Sequence, residues 1–407
     1  MSKTLLNKIW FYAIMLVAIF PVLGIKLTSI SIICFGVISL FVFFYEKDKK
    51  LSSQKTKWLL LFSSTYIIYL ISTLFHPLNQ EATFVLEKKM SLLIFPILIL
   101  LTPLSISKTR FKQLLISFSF ASILVVTYTN VLILFKGIPQ KYLSIHDFSY
   151  SYRTFFNDLS GIHPTYISIY LAFSILVLIH FSLKTKRYLI LYLAGIVIAV
   201  ISLIPLAAKL PIIALVASTT LYLFTQPAVA KKIKIIFLGF IALMVAAIFT
   251  IPALNIRVNE VINASYKVPQ GNNYTSIDVR TGIFNCSTAI IKDNYLFGVG
   301  PGNTQKELDN CYQNYTTNAF DVIHYNTHNE YFNILLSNGI LGLLSFLFLL
   351  FTLTYLAFKY KLPLFSALMV LILLCFTTEN LLDRQGGVVF FALFSALFTK
   401  YYLLQKK

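Results

Sequence analysis

The sequence predicts an all-α, polytopic membrane protein with about 12 transmembrane helices and a large external loop between helices 9 and 10. Two features of composition predict this class. Of the 407 residues, 57% are hydrophobic and only 12% are charged, whereas soluble domains carry roughly 25% charged residues. The net charge of +19 can also be assigned to one side of a membrane. This composition excludes a soluble enzyme, a disordered chain and a secreted disulfide scaffold.

Twelve apolar stretches are long enough to span a bilayer, whose core requires about 20 residues of helix. The first follows Lys3 and Lys8, as in a signal peptide, but it lacks a small-x-small cleavage site and is interpreted as a retained span. The chain then divides into nine membrane helices at 1–252, a loop domain at 253–330 and three membrane helices at 331–407. The stretches run approximately 9–25, 27–45, 58–75, 90–107, 111–135, 162–183, 188–204, 206–225, 233–252, 331–358, 362–378 and 387–404.

The basic residues indicate the orientation of these spans. If the N-terminus is cytoplasmic and the spans alternate, the cytoplasmic segments contain 21 of the 34 basic residues and two of the 15 acidic ones. The whole net charge of +19 is then cytoplasmic, and the external segments balance to zero. Short cytoplasmic loops rich in Lys and Arg are the topology signal of membrane proteins. We therefore assign both termini to the cytoplasm and interpret the basic charge as topology, with no nucleic-acid partner.

Two external segments, 136–161 and 253–330, are longer than a simple connection requires. They indicate that the chemistry of the protein lies on the external face. In the second segment, apolar residues spaced along Ser276 to Asn294 predict an amphipathic helix with Arg280 in its first two turns.

A glycine-rich hexapeptide, Gly298 to Asn303, follows the predicted amphipathic helix and cannot continue it. Two interpretations are open. The hexapeptide is either a structural turn or a place where the backbone at Gly300 approaches an anionic ligand closely. Asn303 is then the residue that would cap a short helix ending near Cys311.

The stretch before the tenth span contains the candidate catalytic histidine. Thr327 and Glu330 have the spacing of a capping box, which places His328 in the first turn of a helix. The positive helix end disfavours imidazolium, so His328 is expected to be neutral and to act either as a general base or as a polar interface residue. His324 lies before the predicted helix as a second candidate. No acidic or thiol ligand is spaced with these histidines to form a metal site, and no cofactor is predicted.

Other charged residues and imidazoles lie at the external ends of spans, where an ionisable group is either functional or paired. Lys209 is either a snorkelling lysine or a ligand contact, and Glu379 with Arg384 is either a structural ion pair or part of a site. His163 and Tyr166 open the sixth span as structural residues or substrate contacts. The groups on this face that suit an anionic, diphosphate-like ligand are Lys209, Arg280, Arg384, His163 and His328.

Four cysteines are present. Cys286 and Cys311 both fall in the external loop, where an oxidising compartment permits a disulfide between them. Cys34 and Cys375 fall within spans, where a cysteine acts as a small apolar residue.

The ordered motifs resemble those of the O-antigen ligase and O-antigen polymerase superfamily. The similarity is strongest over Arg280–Gly342 and includes the glycine-rich segment Leu296–Asn303, His328–Tyr331 and Leu336–Gly342. It is weaker at three further places, namely His163–Tyr166, Lys209 and Glu379–Gly387.

This resemblance implies a metal-independent glycosyltransferase of the bacterial inner membrane, active at the periplasmic face. The donor would be a glycan on undecaprenyl diphosphate, and the acceptor a sugar hydroxyl of lipid A-core or of another lipid-linked glycan. His328 would activate the acceptor, and Arg280 would hold the donor diphosphate. The family commonly has a second essential arginine where this chain has Lys209, and Arg384 is a candidate replacement.

Three alternatives to a ligase remain open from the sequence. The first is another enzyme of the same superfamily, either a polymerase of O-antigen or exopolysaccharide or a protein O-glycosylating relative. The second is a polysaccharide transporter or flippase, because twelve spans with cytoplasmic termini are common in transporters. The third is a non-enzymatic membrane scaffold. The long external loop and the charges at external span ends favour glycosyl transfer over both transport and a scaffold role.

Overall fold

The computed structural model of the protein describes residues 2–45, 52–76, 79–143, 148–250, 262, 266–321 and 323–404. These residues are mostly helical. Their β pairing is limited to an isolated bridge between Gly271 and Thr317. The predicted all-α class is therefore confirmed.

The membrane part of the chain before the large loop contains eleven described helices. Several begin at a serine or asparagine whose side chain accepts a hydrogen bond from the first turn, such as Ser52 and Ser107. The helices are α1 (Lys3–Ile19), α2 (Ile25–Tyr45), α3 (Ser53–Leu74), α4 (Gln80–Lys89), α5 (Ser91–Leu100), α6 (Lys108–Lys136), α7 (Phe148–Ser160), α8 (Pro164–Ser182), α9 (Leu189–Leu206), α10 (Lys209–Thr225) and α11 (Lys231–Thr250).

Five further helices complete the described chain. Two belong to the external segment and three to the final membrane part. They are α12 (Ser276–Asn294), α13 (Thr304–Tyr312), α14 (Glu330–Lys359), α15 (Pro363–Cys375) and α16 (Gln385–Phe398), and a π-helical turn at Thr399–Leu404 follows α16.

Eight helical segments among the described residues are long and apolar enough to cross a membrane, and α10 and α15 are shorter apolar helices. The prediction of about twelve spans is therefore not confirmed. The fourth predicted span, 90–107, has a different form, because its helix α5 ends at Leu100 after ten residues. At 1.5 Å per residue such a helix is about 15 Å long, which is half the thickness of a bilayer core.

The core of the membrane part surrounds α8 and α16. Almost every residue of both helices is buried, because α8 packs against α6, α9, α10 and α15, while α16 packs against α5. A helix that is apolar on all sides is stable only in such a central position. The first turns of these two helices bring Tyr166 and Gly387 into contact.

The described part of the loop domain has its own small core. Helix α12 has the bounds that the sequence predicted, Ser276–Asn294, and a capping box formed by Thr275 and Asp278 fixes its start. Its Val279 and Ile283 pack against Leu308 and Tyr312 of α13. The start of the predicted loop, residues 253–261 and 263–265, lies outside the described residues.

Helix α14 is interrupted at Gly339, whose φ of 67° and ψ of −167° are not helical. The glycine-rich turn crosses the helix here. The backbone N–H groups of Val299 and Gly300 donate to the carbonyl oxygens of Leu336 and Ser337 at 2.8 and 3.1 Å. The turn therefore accounts for two of the carbonyl groups that the interruption releases.

We expect Gly339→Ala to destabilise the protein by more than about 1 kcal/mol, because alanine is strained at positive φ and its Cβ would overlap the carbonyl of Leu296. Gly239→Ala is the matched control, since nothing lies within 4 Å of a Cβ there. Alanine in that helix is expected to be neutral or to stabilise by up to about 1 kcal/mol. Thermal unfolding midpoints of the purified proteins test this, and equal midpoints would contradict the assigned role of Gly339.

Candidate functional site

The candidate site is built where the residues before α14 meet the link between α15 and α16. Three hydrogen bonds join residues 326–329 to this link. The Asn326 amide donates to the Asp383 carboxylate at 3.1 Å, and the amide of Asn380 donates to the Thr327 hydroxyl at 3.0 Å. The amide of Asn329 donates to the carbonyl of Thr377 at 3.0 Å.

Glu330 extends this attachment into the protein interior. Its carboxylate accepts a hydrogen bond from the backbone N–H of Leu382 at 2.8 Å and lies 3.9 Å from the ammonium of Lys89. Lys89 in turn donates to the carbonyl oxygen of Leu382 at 2.9 Å. Both charged side chains are buried, so together they bind the backbone N–H and the backbone carbonyl of one residue, Leu382.

The predicted capping box is wrong. Helix α14 begins at Glu330, and its N-cap is Asn329, whose side chain accepts from the N–H of Phe332. The carboxylate of Glu330 is already bound to Leu382, so it cannot turn back to Thr327. His328 consequently lies outside the helix.

His328 has a left-handed backbone conformation, with a φ of 46°. This is an uncommon conformation for a residue other than glycine. Its backbone N–H donates to the side-chain oxygen of Asn326 at 3.1 Å. Asn326 therefore joins the strained histidine to Asp383, and strain of this kind is found at functional sites more often than elsewhere.

His328 and His163 are both held in the neutral form. Burial, followed by the positive charge of Arg280, lowers the pKa of His328 to about 4. Burial also lowers the pKa of His163 to about 4, with further contributions from Arg384, Arg153 and His328. The neutral state predicted for His328 thus arises from desolvation and a neighbouring guanidinium, and not from a helix terminus.

Glu379 lies among the arginines of the site. Burial raises its pKa above the ordinary range, against the opposing effects of Arg280, Arg153 and Arg384. The close ion pair considered for Glu379 with Arg384 is not formed. In the described part of the chain, the guanidinium groups of the three arginines form no hydrogen bond and no close ion pair. Guanidinium groups that lie around one carboxylate and form no hydrogen bond suit an anionic ligand.

A cavity of about 410 Å³ opens beside this cluster and is lined by His163, Tyr166 and Arg384. Apolar side chains from the start of α2 and from α4, including Ile25 and Phe84, form another part of its wall. His163 is the N-cap of α8, and its Nδ1 accepts from the N–H of Thr165. Helix α8 therefore begins where the sequence predicted. The lining of this cavity includes neither His328 nor Arg280 nor Lys209.

Lys209 is not brought into the cluster. It is the first residue of α10 and is exposed to solvent. It is absent from the charges that shift the pKa of His163, His328 and Glu379. Arg153, on α7, is present among them, and sequence reasoning missed it. Its signal was weak, since a single arginine in the external segment 136–161 belongs to no motif.

The glycine-rich turn is a packing element in this structure. A Cβ at Gly300, where φ is 86°, would lie 2.6 Å from the imidazole of His76. Asn303 precedes α13 without capping it. Its amide instead donates to the carbonyl of Val299 at 2.9 Å and its oxygen accepts from Asn79 at 3.2 Å.

His324 lines a cavity to which His328 does not contribute. Its Nδ1 is 2.9 Å from the carboxylate of Asp309, and its side chain is 77% exposed. In the part of the chain that the structure describes, no group of three His, Cys, Asp or Glu residues could hold a metal ion.

Cys286 and Cys311 form a disulfide that joins α12 to α13. Cys286 is buried in the small core of the loop domain. The bond closes a loop of 25 residues in sequence. It therefore fixes the helix that carries Arg280 to the rest of the loop domain.

We expect the double variant Cys286→Ser/Cys311→Ser to lose about 2–4 kcal/mol of stability, because the unfolded loop gains conformational freedom. Its unfolding midpoint should fall, while Cys34→Ser, which changes a cysteine outside the disulfide, should leave the midpoint unchanged. Alkylation of the denatured, unreduced protein is expected to add mass at Cys34 and Cys375 alone. Added mass at Cys286 and Cys311 would contradict the bond.

Residues 206–347 match the family model described as O-antigen ligase. The matched segment runs from the last residue of α9 into α14, and it contains Arg280 and His328. The match confirms the resemblance to the O-antigen ligase superfamily. No curated protein is significantly similar to the chain.

Proposed function

We propose that this member of the O-antigen ligase superfamily is a membrane glycosyltransferase that moves a glycan from undecaprenyl diphosphate to a sugar hydroxyl. The acceptor is a hydroxyl of lipid A-core. The reaction takes place at the periplasmic face of the bacterial inner membrane, with both termini in the cytoplasm. The family match supports glycosyl transfer of this kind, and a polymerase of the same superfamily is the second candidate.

The observation that carries this proposal is the meeting of a neutral imidazole with arginines whose guanidinium groups form no hydrogen bond or close ion pair among the described residues. His328 is neutral near pH 7 because its pKa is lowered to about 4 by burial and by Arg280. A general base must be unprotonated to accept a proton. Arg280, Arg153 and Arg384 act together on Glu379, so three cationic groups are available for a diphosphate at the same place.

In the proposed reaction, the acceptor hydroxyl transfers its proton to His328 while its oxygen attacks the anomeric carbon of the donor sugar. The bond between that carbon and the diphosphate oxygen breaks, and its electron pair remains on the lipid diphosphate. The arginines stabilise the negative charge that develops there. The proton is then lost from the imidazolium to water.

Donor binding adjusts the basicity of His328. A bound diphosphate places negative charge beside Arg280, which reduces the effect of that guanidinium on the imidazole. The pKa of His328 then rises from its value in the free protein towards the ordinary range. A base with a pKa nearer the working pH transfers protons more effectively, so the histidine becomes a better base when the donor is present.

We expect His328→Ala to abolish transfer in a strain deleted for the natural gene, because no other base replaces the imidazole. General-base loss is expected to cost about 10²–10⁴-fold in rate. The measurement is the glycan pattern of the complemented strain. Absence of glycan on lipid A-core with accumulation of lipid-linked polymer indicates a ligase, whereas caps of a single repeat indicate a polymerase. Full transfer by His328→Ala would refute the assignment of the base.

A second prediction compares Arg153 with Lys209. Arg153→Gln is expected to lower transfer at least tenfold, because it removes one of the three cations that surround Glu379. Lys209→Gln removes an exposed cation outside this cluster and is expected to leave transfer unchanged. Transfer rates in membranes that contain equal amounts of each variant test the pair. The reverse result would place the second donor-binding cation at Lys209.

A further inference from the structure

A second cavity, of about 540 Å³, lies between the membrane helices and the loop domain. Its walls come from α3, α4, the glycine-rich turn, α13, the residues that precede α14, the first turns of α14 and the link before α16. The volume falls within the range of about 300–1,000 Å³ that small-molecule sites occupy. None of the residues His163, Arg280 and His328 lines it.

The charges that line this cavity cancel. Three lysines and three carboxylates contribute to the wall, whereas the neighbouring cluster offers three arginines around one carboxylate. An anion therefore has no electrostatic preference for the second cavity. The wall offers a ligand both hydrogen-bond donors and acceptors, since carboxylates accept, lysines donate and amide side chains do both. An uncharged ligand with many hydroxyl groups can bind both the donors and the acceptors of this wall.

A buried hydroxyl supports the presence of a ligand. Tyr69 lines the cavity and is only 1% exposed. Its oxygen makes no hydrogen bond of good geometry with the described residues, and the side chains of Lys89 and Ser337 lie near it. A buried hydroxyl whose hydrogen bonds are incomplete is destabilising, and a ligand hydroxyl in the cavity would complete them.

The two cavities adjoin each other. Lys88 and Asp383 line both of them, and their charged groups are 4.0 Å apart at the boundary. Asp383 also accepts the hydrogen bond of Asn326, the residue that holds the backbone of His328. Asn326 itself lines the second cavity, so a ligand there lies directly against the residue that positions the proposed base.

We propose that the second cavity is a saccharide subsite, which binds uncharged sugar residues next to the reacting centre. The inference rests on the proposed function, because it assigns the sugar part of a substrate whose diphosphate lies at the arginine cluster. The same chemistry fits the glycan of the donor and the glycan of the acceptor. Two separate probes distinguish these sources.

Binding is measured by calorimetry on the purified full chain in lipid nanodiscs. One probe is the oligosaccharide freed by mild acid from the lipid-linked glycan of the producing cells. The other is the core oligosaccharide freed by mild acid from lipid A. We expect one of them to bind, and the identity of that probe assigns the cavity to the donor or to the acceptor. Binding of neither probe overturns the proposal.

Two variants place the binding in the cavity. Tyr69→Phe removes only the buried hydroxyl, which makes no hydrogen bond of good geometry within the described protein, and it is expected to weaken saccharide binding about tenfold without lowering the unfolding midpoint. Tyr66→Phe is its control, because Tyr66 lies on the same helix but outside the cavity lining. Asn310→Trp fills the cavity and is expected to abolish binding. The same substitution at Asn314, which is exposed and outside the lining, should not.

The two proposals fail in different ways. His328→Ala should bind the saccharide as the unmodified protein does, because His328 does not line the cavity. If that variant retains full transfer, the proposed function is wrong, while saccharide binding is unaffected. If Tyr69→Phe and Asn310→Trp bind as tightly as their controls, the subsite is wrong, while the transfer experiments are unaffected.

Discussion

The backbone of Leu382 is the point on which the site depends. Glu330 accepts from its N–H and Lys89 donates to its carbonyl, and both side chains are buried. Burying two charges costs several kcal/mol per ion unless hydrogen bonds compensate. Here the backbone supplies one bond to each charge. Removal of either side chain would leave the other charge buried alone, which typically costs 3–5 kcal/mol.

The contacts of Glu330 and Lys89 with the backbone of Leu382 determine where the proposed base lies. They fix the first residue of α14 to the link before α16, and Asn326, Thr327 and Asn329 add their bonds beside them. His328 is held between them in a left-handed conformation. The strained conformation persists because Thr327 and Asn329, on either side of His328, are hydrogen-bonded to the link before α16. His328 precedes α14, and Arg384 lies in the link before α16. The contacts of Glu330 and Lys89 with Leu382 join these two chain segments directly.

A second constraint fixes the loop domain to the membrane helices. The interruption of α14 at Gly339 exposes backbone groups, and the turn at Gly298–Gly300 binds them. Helix α12 precedes this turn and carries Arg280, while the disulfide ties α12 to α13. Arg280 is consequently placed by contacts with the membrane helices as well as by the small core of its own domain.

The sequence by itself determined the features that arise from local interactions. The bounds of α12 were predicted because apolar spacing acts within a few residues, and α8 begins between His163 and Tyr166, which the sequence placed at the start of a span. The capping box at Thr327 was not formed, because a residue 52 positions away takes the Glu330 carboxylate. Arg153 entered the site and Lys209 did not. Only the tertiary structure decided those positions, because burial and long-range charge interactions depend on which helices meet, and no local pattern encodes that.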